Sequence, residues 1–144
     1  MKLIHISCAA VLVATAALSS ANAQSLKVRK GMAEQEKMLV EHVESLNKSC
    51  GTTIAVKFDW KDAPAADLEK YSASLFCDAA LSGIRRTCAN QIGKDAVKQK
   101  VKSVTCGFGP KRAISLKDGL VDYKINFSTS NDTDFVYEFM QNNL

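Results

Sequence analysis

Apolar and polar residues alternate most regularly between Ala113 and Phe127, on both sides of the dipeptide Asp118-Gly119. Asp-Gly inside such a pattern predicts a two-residue hairpin turn, because both turn residues need a positive φ. With the turn at this dipeptide, Leu116 lies opposite Val121, and the next apolar pair falls on the same face. The remaining positions are polar, so we predict a sheet with one apolar and one solvated face.

The N-terminal half predicts a helix followed by a strand. Apolar residues recur in steps of three and four over residues 28–49, which is the spacing of one helix face. Gly51 then ends the pattern, as is common just past the end of a helix. From Thr53 to Trp60 apolar and polar residues alternate, so we predict a half-buried strand there.

A long helix follows, and its apolar stripe begins after Asp62. The stripe continues through Gly83, which we expect inside this helix at a cost of about 1 kcal/mol relative to alanine. We place the end of the helix at Gly93. Residues 104–108 alternate as a strand before the hairpin, and a last helix begins near Asn131.

The order of these elements predicts the fold class. It reads helix, strand, helix, strand, strand, strand, helix, and no repeat or linker interrupts it. We therefore predict a single α+β domain with a mostly antiparallel sheet of about four strands. Three helices pack on this sheet and two disulfides brace it.

The first 23 residues have the composition of a signal peptide. Lys2 supplies a positive start, residues 6–18 are apolar but too few to span a bilayer, and Ala21-Asn22-Ala23 resembles a bacterial cleavage site. We predict cleavage after Ala23, a mature domain over 24–144 and a periplasmic or secreted location. An uncleaved N-terminal anchor is the alternative. No later stretch is apolar enough to predict membrane insertion after cleavage.

The mature chain keeps four cysteines, which in a small exported domain predict two disulfides. If the long helix connects two parallel strands, Cys50 lies level with Cys88, and Cys77 lies level with Cys106. On one straight helix Cys77 and Cys88 would stand about 16 Å apart, which is beyond disulfide reach. We favour Cys50–Cys88 and Cys77–Cys106, and a Cys77–Cys88 bridge stays open if the helix breaks near Gly83.

The formal net charge of +4 conceals an uneven distribution. Between Arg85 and Lys124 there are ten basic residues and three acidic ones, which suits an anionic partner or plain solvation. Nucleic acid is not expected, because no aromatic residues lie among these lysines to stack on bases. The predicted binding face is the polar side of the hairpin with the nearby residues before it: Lys111, Arg112, Ser115, Lys117, Asp122, Lys124 and Asn126.

The sequence lacks the common catalytic and metal-binding motifs. His42 is the only histidine of the mature chain, and there is no C-x-x-C, G-x-S-x-G or glycine-rich phosphate loop. We therefore expect no metal, no cofactor and no catalytic residue that the sequence can name. A lone histidine at the edge of an amphipathic helix is more often a packing residue than a catalytic base.

These observations predict a small exported binding or inhibitor-type protein rather than an enzyme. Its partner would be a protein or an anionic component of the cell envelope. Two alternatives stay open at this point. One is a hydrolase of envelope polymers that uses a carboxylate the sequence does not reveal, and the other is a structural or assembly component of the envelope.

Overall fold

Nine helices and strands form the described part of the chain, residues 26–144 of a computed structural model. The predicted signal peptide, residues 1–23, lies outside the described residues. In chain order the elements are α1 Leu26–Cys50, β1 Ala55–Phe58, α2 Ala65–Leu68, α3 Ala73–Thr87, α4 Gln91–Lys100, β2 Ser103–Phe108, β3 Ala113–Lys117, β4 Leu120–Ile125 and α5 Asp132–Asn143.

The four strands form one mixed sheet in the order β1-β2-β4-β3. β1 pairs with β2 and β2 pairs with β4 in parallel, and only the β3–β4 hairpin is antiparallel. The prediction of a mostly antiparallel sheet is therefore wrong, because the second strand of the hairpin, and not the first, lies beside β2. Local pairing cannot reveal this choice, since either strand of the hairpin could have contacted β2.

The hairpin itself has the predicted register. Leu116 pairs with Val121 and Ile114 with Tyr123, and the turn residue Asp118 has a φ of 51°. The inner face of β4 carries Val121, Tyr123 and Ile125, all buried, whereas the two inner residues of β3 are only partly buried. The strand with more apolar inner surface takes the interior position, where both of its edges are covered.

The structure has five helices, not the three predicted. The segment expected to form one long helix is divided into α2, α3 and α4. Gly83 lies inside α3 as predicted, but Gly93 does not end a helix. It lies in the first turn of α4, where its N–H donates to the Asn90 side chain at 2.9 Å. Asn90 therefore begins a new helix three residues after α3 ends, because a capped N-terminus competes with continuation of the old helix.

Two disulfides join the helices to each other and to the sheet. Cys50–Cys88 links the ends of α1 and α3, and Cys77–Cys106 links the middle of α3 to β2. This is the pairing favoured by the parallel crossover, and β1 and β2 do run parallel around the intervening helices. For loops of 38 and 29 residues, chain entropy suggests about 4 kcal/mol of stabilisation for each bridge.

The helices cover one face of the sheet. On that face Val104, Cys106 and Phe108 of β2 are buried beneath α3, and Val136 and Met140 of α5 belong to the same core. No helix within residues 26–144 covers the opposite face, on which the outward residues of β1 and β3 are exposed. The prediction of one apolar and one solvated face is therefore confirmed at β1 and β3, whereas Thr105 and Gly107 on the same side of the inner strand β2 are buried.

At Gly83 helix α3 packs closely against α5. A methyl group at Gly83 would lie 2.7 Å from the Thr133 carbonyl oxygen and 2.7 Å from Val136 Cβ. We expect Gly83→Ala to lower the free energy of unfolding by about 1–3 kcal/mol, because the two helices must separate. Gly31→Ala is the matched control, since no atom lies within 4 Å of its added methyl group among the described residues.

The control should stabilise α1 by about 0.5–1 kcal/mol through helix propensity alone. Urea denaturation of both oxidised variants measures the two changes. Equal effects of the two substitutions would contradict a close contact at Gly83.

Candidate functional site

The uncovered sheet face, called the open face below, brings together only part of the predicted binding surface. Ser115, Lys117, Asp122 and Lys124 lie on it, because they alternate with the buried residues of the hairpin. Lys124 Nζ lies 3.2 Å from Asp122 Oδ1, so this lysine is partly neutralised within the face. Asp122 Oδ1 is shielded from solvent and makes no hydrogen bond of regular geometry within the described chain. The neighbouring strands contribute Lys57 and Thr105 in register.

Three residues predicted for the binding face lie outside the strands, and two of them, Arg112 and Asn126, bond to other parts of the chain. Arg112 extends toward α5, where Nη1 donates to the Ser130 carbonyl oxygen at 2.7 Å and its guanidinium lies 4.2 Å from the centre of the Phe135 ring. Asn126 holds the turn after β4 by donating to the Pro110 carbonyl oxygen at 2.8 Å. Lys111 is exposed in the loop before β3. The alternation of a strand does not extend into loops, so sequence spacing could not place these three.

Arg112 belongs to a buried polar cluster at the start of α5. Asp132, only 5% exposed, accepts hydrogen bonds from the hydroxyl of Tyr123 and from Thr129, and Arg112 Nη1 lies 3.3 Å from it. Burial, and then the hydrogen bond to Asp132, raise the pKa of the Tyr123 phenol far above its ordinary value. The cluster satisfies a carboxylate that α5 buries against the sheet, and its members already bond to one another, so we assign it a structural role.

The ten basic residues between Arg85 and Lys124 separate into two groups. Half of them have partners inside the described chain: Arg85 with Asp78, Arg86 with Asp134, Arg112 with Asp132, Lys124 with Asp122, and Lys100 with the C-terminal carbonyl of Leu144. The others form no ion pair with residues 26–144, and three of these lie at the amino ends of the parallel strands. We call Lys98, Lys102 and Lys117 the basic margin.

The fold, not the local sequence, assembles the basic margin. The side-chain carbons of Lys102 lie over Gly119 in the hairpin turn, and the end of the Lys98 side chain lies over Gly51. A shallow pocket of about 280 Å³ separates Lys98 from Lys102 and is also lined by Thr52 and Thr53. Two lysine side chains at one pocket suit an anionic group. The Thr52 hydroxyl is not available to such a group, because it donates to Asn47 Oδ1 at 2.8 Å.

A second depression lies at the other end of the sheet, outside the carboxyl ends of β2 and β4. It has a volume of about 380 Å³ and includes Phe108, Phe127, Asp62 and Asp67. Phe127 is stacked on Tyr71, with ring centroids 5.2 Å apart. Sequence spacing does not assemble this site, because its walls come from three loops that the parallel pairing brings together. Open α/β sheets often bind ligands at this position.

His42 lies in a charged cluster between α1 and α3. His42 Nδ1 lies 3.1 Å from Asp78 Oδ1, and Arg85 Nη2 lies 3.2 Å from the same oxygen. This cluster joins α1 to α3 across their packed sides, which is a sufficient structural reason for it. Within the described range no three histidine, cysteine or carboxylate side chains are arranged to hold a metal ion.

Comparison with protein-family models, with characterised proteins and with solved structures finds no match for this chain. Of the helices in the described range, none is long and apolar enough to cross a membrane.

We expect Tyr123→Phe to lower stability by about 1–2 kcal/mol at pH 7, because Asp132 loses its most buried donor. The raised pKa means that the folded state retains the phenolic proton while an unfolded tyrosine loses it near pH 10. This contribution is therefore complete below about pH 10 and is lost as the pH rises further. Melting temperatures of both proteins between pH 7 and pH 11.5 should converge at the alkaline end, and parallel curves would contradict the buried hydrogen bond.

Proposed function

We propose that the mature chain is an exported binding protein of the bacterial periplasm or extracellular space, and that its basic margin and open face contact an anionic partner. Two disulfides support export, because they persist in oxidising compartments. The signal-peptide pattern of residues 1–23 supports it independently.

One observation carries the assignment of the binding surface. Lys98, Lys102 and Lys117 are left without an ion-pair partner in the described chain, while the arginines of the same basic half are used internally. Three unpaired ammonium groups at the same end of the sheet create a positive field, which raises the rate and affinity of binding to anionic surfaces. The adjoining open face carries no helix from residues 26–144, so a partner can reach it without any rearrangement.

The hydrolase alternative has less support. Its carboxylates would lie in the depression at the carboxyl ends of the strands, where Asp62 and Asp67 are the acidic residues. Asp62 is exposed and Asp67 is only half-buried, so neither is in the apolar surroundings that keep a general acid protonated near neutral pH.

Reversal of the basic margin tests the proposal. We expect Lys98→Glu, Lys102→Glu and Lys117→Glu together to weaken binding to anionic probes by about 100-fold at low salt, because each lysine near an anionic surface contributes about 1 kcal/mol. The probes are phosphatidylglycerol vesicles and poly-L-glutamate, which distinguish phosphate from carboxylate partners. Co-sedimentation and fluorescence anisotropy measure the two affinities.

The matched control reverses three exposed lysines elsewhere, Lys30, Lys37 and Lys70, with the same change in net charge. The control variant should retain most of the binding. Added salt should lower the affinity of the unmodified protein for both probes. The proposal would be wrong if neither probe binds, or if the control loses as much affinity as the triple variant of the basic margin.

A further inference from the structure

The outer edge of β1 presents backbone groups that no other strand of the described chain pairs. The Asp59 N–H donates to the Cys106 carbonyl oxygen at 2.9 Å, so the odd-numbered residues of this segment direct their peptide groups toward β2. Because a strand alternates, the N–H and C=O groups of Ile54, Val56 and Phe58 point away from the sheet. This edge therefore offers the hydrogen-bonding pattern of a strand that has only one neighbour.

A side chain from α1 already occupies one of these positions. The Asn47 amide donates to the Ile54 carbonyl oxygen at 3.0 Å and accepts from the Ile54 N–H at 2.8 Å. It thus bonds to Ile54 as the peptide group of a neighbouring strand would. Farther along the edge Val56 and Phe58 have no such partner in the described chain, although their outward groups are equivalent.

A groove of about 460 Å³ lies between this edge and α1. Its α1 wall consists of Leu39, Val40 and Val43 with Glu36 and Glu44 at the rim, residues that share one side of the helix. Val40 is 54% exposed there although it faces an apolar wall. The groove is closed at one end by the Asn47–Ile54 contact and at the other by Glu36, which accepts from Trp60 Nε1 at 2.8 Å.

We propose that this groove binds an extended segment of another polypeptide, which adds to the sheet as a fifth strand beside β1. Ile54 and Trp60 are six residues apart, which corresponds to about 20 Å of strand, so a segment of about four to six residues fits between the two contacts. Backbone hydrogen bonds to Val56 and Phe58 would supply affinity, and alternate side chains would supply specificity. The site is separate from the basic margin, so this inference does not depend on the function proposed above.

The groove also defines the chemistry of the segment. Inward side chains would pack against Val43, Val56 and Phe58, so these positions call for aliphatic residues. The outward side chain between them lies beside Lys57 on the open face, and Lys57 has no ion pair within residues 26–144. Opposite charges on neighbouring strands attract, so this position calls for an acidic residue. A lone segment fits better than a second copy of this chain, because β1 of the copy is flanked by its own α1.

Peptide binding to the oxidised mature protein tests the inference. The probe is an acetylated, amidated hexapeptide that alternates valine with threonine and carries one central glutamate, labelled for fluorescence anisotropy. We expect it to bind at least tenfold more tightly than the same peptide with lysine in place of glutamate. N-methylation of one alternate set of amides should abolish binding while methylation of the other set preserves it, because only one set faces β1. Equal loss from both sets, or no binding of any peptide, would overturn the inference.

Variants of the protein provide a second test of peptide binding to the groove. Val56→Pro removes an N–H that points away from β2, so the ladder with β2 persists while the groove loses a donor. We expect at least a tenfold loss of peptide affinity with the melting temperature close to that of the unmodified protein. Peptide affinity that stays unchanged in a folded Val56→Pro protein would overturn the inference.

Val40→Lys blocks the groove without touching the strand. Met38→Lys is its matched control, because Met38 lies on the opposite side of α1 and is 43% exposed. We expect the first substitution to abolish peptide binding and the second to leave it unchanged. Equal affinities of these two variants would place the binding site elsewhere and overturn the inference even if Val56→Pro fails to fold.

Discussion

The attachment of α3 to its neighbours is the constraint on which the other parts of the fold depend. Both disulfides end on or next to this helix, one reaching α1 and the other reaching β2. On its remaining side α5 approaches so closely that only glycine fits at Gly83. One helix thus holds the N-terminal helix, the C-terminal helix and the sheet, in a domain of a size that buries only about two-thirds of its unfolded surface.

Placing all helices on one side of the sheet has consequences for function. Parallel strands are usually covered on both faces, yet here β1, β2 and β4 are parallel and the open face carries polar and small residues. The same arrangement leaves the β1 edge beside α1, where Asn47 pairs one peptide unit and the next two are unpaired. This arrangement therefore leaves the open face and the groove at the edge uncovered by other elements of residues 26–144.

The arginines and the lysines of the basic half differ in their contacts. Arg85 and Arg86 form ion pairs with helix residues, and Arg112 is enclosed with Asp132 beneath the start of α5. Arginine suits such sites because its planar group makes several directed hydrogen bonds at once. The lysines of the basic margin, in contrast, form no ion pair with residues 26–144, although the side chains of Lys98 and Lys102 lie over Gly51 and Gly119.

Much of the local structure follows from the sequence, because local patterns determine it. The Asp118-Gly119 turn established the hairpin register, and the segment lengths were sufficient to favour the observed cysteine pairing. The helix count was wrong where Asn90 begins a new helix, since a cap and an apolar stripe compete within a few residues. The candidate site was only half predicted: the alternation placed Ser115 and Lys117 on the open face, but Arg112 and Asn126 lie in loops where no period applies.

Local patterns in the sequence thus define which residues face inward within each element. Which strand lies beside β2, and with it the mostly parallel sheet, depends on burial between segments far apart in the chain and follows from long-range packing alone. The same long-range packing brought Lys98 and Lys102 together and left Val56 and Phe58 at an open edge. These candidate binding surfaces arise between elements, so no period within a single element could reveal them.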